Sequence, residues 1–157
     1  MSYYYSRTLT IPFDQVVQKI TLNLQKQGFG IITTIDLKET LRQKLGIDFR
    51  KYKILGACNP QFAYKAVSQD SHLGLMLPCN IVIQEHENNQ VEISAINPMA
   101  TIEESATSYQ LKELANDVSN RLRTAIDNLH HDQPMPQHTE ALPAEGSAPN
   151  YNAPIQG

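Results

Sequence analysis

Leu111, Leu114, Ala115, Val118, Leu122, Ala125, Ile126 and Leu129 recur at intervals of three and four residues. That spacing lines them along one stripe of a helix about five turns long. No periodic signal elsewhere in the chain is as strong, and it dictates a partner. An apolar stripe of this length needs a broad apolar surface to cover, and one face of an antiparallel sheet supplies it. The helix expected from about Ser105 onward therefore calls for strands upstream.

Those strands are legible in alternation with helices. Tyr3 to Thr10 is aromatic and β-branched and suits a half-buried strand. Pro12 then fits an early helical position, with Asp14 near the positive end of the dipole. Phe13, Val16, Val17, Ile20 and Leu24 line one face, and Gly28 ends the helix. Phe29 to Ile35 reads as a second strand. Asp36 caps the next helix, Leu37 to Leu45, with Glu39 completing a capping box and Gly46 stopping it. Tyr52 to Ala57 is a third strand, ending in Cys58-Asn59-Pro60. Asn59 is a good N-cap and Pro60 a good first helical residue, so a helix begins there, with Phe62, Ala63, Ala66 and Val67 on its apolar face.

His72 to Glu85 is the longest apolar stretch, and Pro78 inside it predicts a bulge, an edge position or two strands joined at Leu77-Pro78. Glu87-Asn88-Asn89 forms a hairpin turn, Val91 to Ile96 is the returning strand, and Asn97-Pro98 ends it. The order β, α, β, α, β, α, β, β, α predicts an α+β two-layer sandwich. Its mainly antiparallel sheet has about five strands. Five of the nine prolines fall between Pro134 and Pro154, among Gly, Ser, Asn and Gln. Such a segment cannot bury enough surface to offset its ordering entropy. The expected organisation is one domain over residues 1–131 and a disordered proline-rich tail over 132–157.

Formal net charge is −3, which leaves no basic surplus to recruit phosphate backbones and argues against nucleic acid as a partner. Apolar runs such as LGLMLPCNIVI fall well short of the ~20 residues of a membrane span. MSYYYSRTLTIPF has no basic start followed by an apolar block, so no secretory signal is expected. The default location is the cytoplasm, with both cysteines as thiols.

The blocks GFGIITTIDLKETLRQKLGIDFRKYKILGACNPQFAYKAV and GLMLPCNIVIQE, followed by the INP that closes the next strand, resemble the family known as domain of unknown function 302. The likeness covers roughly the first hundred residues, and ILGACNP and LPCN carry most of its specificity. The resemblance implies a compact α+β domain with helices on one side of a curved antiparallel sheet, similar in topology to one repeat of the TATA-binding protein fold. It also implies a homodimer. It implies no activity, cofactor or catalytic residue, and topology alone is no warrant for DNA binding.

Chemistry has one candidate location. Cys58 closes a strand just before a helix N-terminus, where backbone N–H groups and the dipole lower a thiol's pKa. Cys79 follows Pro78. If their strands are neighbours, the thiols approach each other and Asn59 and Asn80 frame a small polar pocket with them. Cys58, Asn59, Cys79 and Asn80 are therefore the candidate ligand-binding residues, for an unknown small molecule or protein partner. Both cysteines also fit as small buried hydrophobes, Asn59 is accounted for as a helix cap, and Asn80 either pins a bulge or faces a ligand. Two cysteines without a CxxC are weak evidence for zinc, so no metal is assigned. The alternative to a non-catalytic binding protein is a redox or metal-binding protein using Cys58 and Cys79. Arg50, Lys51, Lys53 and Lys65 are expected to form a basic cluster near Cys58, most simply a solvated face. His72 and His86 read as turn residues, while His130, His131 and His138 lie in or beside the tail. Tyr3, Tyr4 and Tyr5 suit an edge strand or a subunit contact.

Overall fold

The aromatic and β-branched runs form five strands: β1 (Tyr4–Leu9), β2 (Gly30–Asp36), β3 (Tyr52–Cys58), β4 (Cys79–Glu85) and β5 (Val91–Ile96). The helices are α1 (Phe13–Lys26), α2 (Leu37–Leu45), α3 (Pro60–Gln69), α4 (Pro98–Ile102) and α5 (Tyr109–Asp127). The structure, a computed structural model, describes residues 1–102, 108–133 and 135. His138 and nearly all of the proline-rich segment lie outside the described residues. Among those described, no helix is long and apolar enough to cross a membrane.

Local chemistry sets the helix ends. Asp36 Oδ1 accepts from the Glu39 N–H at 3.0 Å, while the Glu39 carboxylate turns to Arg42 and Gln43. Gly46 closes α2 at φ 65°, in the left-handed region where glycine meets no Cβ penalty. Pro12 sits one residue ahead of α1, its carbonyl accepting the Val16 N–H.

The strands form one sheet in the order β1-β5-β4-β3-β2, antiparallel throughout. The first two strands occupy opposite edges, so α1 must cross the sheet to join them. Ile81 pairs with Leu55 on one side and Ala95 on the other, and Ile83 pairs with Ile93. These residues share one face, and all are buried. Val16, Ile20 and Leu24 of α1, with Val118, Leu122 and Ile126 of α5, close that face into a single core. Each large aliphatic side chain so buried stabilises the fold by about 1.5–3 kcal/mol. This is the α+β two-layer arrangement that the α5 stripe demands.

The reading of His72 to Glu85 needs correcting. Ser71–Met76 is a 3₁₀ helix, started by Asp70, whose Oδ1 accepts the His72 N–H at 3.0 Å. Leu73 is buried but Leu75 is 87% exposed, so the apolar run is not one core surface. Pro78 has no N–H to donate to a ladder, and β4 begins just after it, as a central strand rather than an edge. The sheet's irregularity lies instead in β2, between Ile31 and Thr33. Helix α4 also went unanticipated.

Candidate functional site

The pairing of β3 with β4 decides the site. Ala57 lies opposite Cys79, and Gly56 opposite Asn80. The two Cys-Asn pairs, twenty-one positions apart in the chain, therefore meet at one end of the sheet. Gly56 allows close packing there: a Cβ on it would collide with Thr33 Oγ1 and with the Pro78 ring. Asn59 leaves β3 and turns the chain into α3, its Oδ1 accepting from the Gln61 and Phe62 N–H groups at 3.2 and 3.4 Å. Its Nδ2 faces Gly28, where a Cβ would stand 2.8 Å away.

Cys58, Asn59, Cys79 and Asn80 all line one cavity of about 350 Å³ between the sheet end, α3, α4 and α5. Ala57 and Cys79 come from the sheet, Phe62 and Ala66 from α3, and Leu111 and Val118 from α5. Ile102, Leu73 and Leu77 complete the apolar wall. The polar lining residues are the two asparagines, the two thiols and Thr101, whose hydroxyl donates to the Pro98 carbonyl. Among the described residues, no charged side chain lines it. Asn80 borders the cavity, but strand alternation turns its exposed side chain to the other face of β4, the face of Val82, opposite Cys79 and Ile81.

Burial governs the thiols. Cys58 is pushed up from its ordinary value by desolvation, and Cys79, 8% exposed, is pushed up to about 11 by desolvation and by the neighbouring Cys58. This is opposite to the lowering expected from the α3 N-terminus. Desolvation outweighs the dipole, and Asn59 Oδ1 already accepts from the Gln61 and Phe62 N–H groups at that helix end.

Other expectations are redistributed. Arg50 and Lys51 precede β3 and Lys53 lies near its start, whereas Cys58 ends it, a separation of roughly 20 Å along an extended strand. Those three are thus not beside the cavity, while Lys65 stands apart from them, exposed on α3. Arg50 stacks on Phe49 and Tyr52 and donates to Gln84 Oε1. His72 is exposed beside Asp70, and His86 pairs with Glu92 at 3.0 Å. The backbone carbonyls of His130 and His131 accept from the buried Lys19 ammonium. Tyr4 and Tyr5 belong to edge strand β1, and Tyr5 donates to Asp127. The α4 and α5 wall was missed, although Leu111 and Leu114 stand in the stripe read from the sequence.

A family model described as domain of unknown function DUF302 matches residues 5–129. Among solved structures, the chain is similar to the crystal structure of the uncharacterized conserved protein DUF302 from Bacillus stearothermophilus. The TM-score is 0.74 and the identity 27%, over 81% of this chain and 98% of that one. No curated protein matches. With the family model spanning all five strands and α5, the chain belongs to the DUF302 family.

Proposed function

We propose that this protein is a non-catalytic, homodimeric binding protein of the cytoplasm that holds a small molecule in the cavity rimmed by Cys58, Asn59, Cys79 and Asn80. The observation that carries the reading is the cavity itself. Its volume of about 350 Å³ and its apolar wall with few polar groups suit a small-molecule site. The raised thiol pKa values keep both sulfurs protonated at neutral pH, which favours binding over nucleophilic chemistry. For dimerisation, support comes from the sheet face away from α1 and α5. Ile54 and Val82 pair there, and Ile35 is 46% exposed.

Native mass spectrometry of freshly purified protein tests this reading. A dimer carrying a small molecule is expected, and Ala66→Phe, which fills the cavity from α3, should lose the ligand and keep the fold. A monomer would remove the dimer from the proposal. An empty protein whose melting point no small apolar compound raises would remove the ligand.

A second reading, a thiol redox or metal-binding protein, rests on both sulfurs lining one cavity and interacting electrostatically. Alkylation across a pH series separates the two. Native-state reaction with a Cys58 pKa well below ~8.5 favours thiol chemistry; inertness until denaturation favours binding.

A further inference from the structure

We infer that the cavity takes an uncharged, bicyclic-sized apolar molecule and that it rejects anions. The inference rests on the ligand-binding reading above and specifies the ligand's class. Size follows from volume. An apolar cavity of about 150 Å³ accommodates benzene, and this one, at about 350 Å³, has room for two fused rings.

Charge follows from the lining. No Asp, Glu, Lys, Arg or His of the described residues lines the cavity. Arg121 is turned away, pairing with Asp117, stacking on the Phe62 ring and donating to the Gln27 carbonyl. An ion entering this space would shed its water and find no counter-charge among the described residues, which is costly. The thiols do not supply one, since burial holds both in the neutral form.

The polar residues of the lining are committed elsewhere. Asn59 commits its oxygen to capping α3, and Thr101 donates to Pro98. Asn80 turns its amide to the opposite face of β4, with Val82, and so adds no polar group to the apolar interior.

The test uses three probes of nearly equal shape, naphthalene, 2-naphthamide and 2-naphthoate, titrated calorimetrically into the full-length protein at neutral pH. Naphthalene and the amide should bind, and naphthoate should bind at least tenfold more weakly than the amide; any smaller gap overturns the inference and leaves the cavity reading standing. Binding that persists in Ala66→Phe places the probes outside the cavity and overturns the inference. Failure of all three probes to bind overturns the ligand reading and this inference with it.

Discussion

Cys79 shows how one buried side chain ties stability to pH. In the folded chain its thiol keeps its proton to about 11, against an ordinary value of 9.0. Between those values the folded state binds more protons than the unfolded one, so stability falls as pH rises through the window. The loss from this group reaches about 1.4 kcal/mol per pH unit at most. Cys79→Ala should therefore unfold in urea with a shallower loss of stability over that window than wild type; parallel profiles would refute the assignment. Gly56 is a second such residue, with Thr33 and Pro78 occupying the space a Cβ needs. Gly56→Ala is expected to destabilise by about 1–3 kcal/mol through overpacking, seen as a lower denaturation midpoint. A neutral outcome would mean that Thr33 turns aside at no cost.

At the scale of elements, α3 and α5 depend on their ends. Asn59→Ala removes the cap of α3 and should cost about 1 kcal/mol, and because Asn59 also lines the cavity, it should weaken binding of a neutral bicyclic probe as well. Helix α5 is held at its C-terminus by Arg7. From the core face of β1, its Nη1 donates to the carbonyls of Ile126, Asp127 and Leu129 at 2.9–3.1 Å. Arg7→Ala should lower stability by about 2–3 kcal/mol, in line with hydrogen bonds from a charged donor. It should also speed hydrogen exchange in the last turn of α5, whereas unchanged exchange would show that water replaces the guanidinium without penalty. The two Asn-Pro steps teach a related point. At Asn59-Pro60 the pair predicts a helix start, and α3 begins there. At Asn97-Pro98 the same pair predicts only the end of a strand. There too the asparagine oxygen caps, accepting the Met99 N–H at 3.2 Å, and α4 begins.

Over the whole molecule, the chain following α5 is tied back to α1. Lys19, 2% exposed, donates to the carbonyls of His130 and His131, and Gln133 is buried against Asn23. A chain ending at Leu129 strands that ammonium without partners, whereas one ending at Met135 retains them. The shorter form should be less stable by about 3–5 kcal/mol, the usual penalty for an uncompensated buried charge. Equal melting points would show that Lys19 finds solvent. Gln133 lies beyond residue 131, the point at which composition marks the end of the domain. Composition averages over many residues and cannot register one glutamine that docks.

The sequence by itself determined the sheet, the helices other than α4 and the face on which they meet. Periodicity, caps and breakers act within a few residues, and the α5 stripe required a sheet of matching breadth. It also singled out Cys58, Asn59, Cys79 and Asn80 through their placement at strand ends. A local cap at Asp70 starts a 3₁₀ helix over Ser71–Met76, a signal present in the sequence but masked by the run of apolar side chains after it. Tertiary structure alone decided the sign of the thiol shifts, since desolvation depends on what packs around a sulfur and not on its neighbours in the chain. The cavity, too, exists only once α4 and α5 close over the end of β3 and β4. Its walls come from segments that are far apart in the chain and share no local signal.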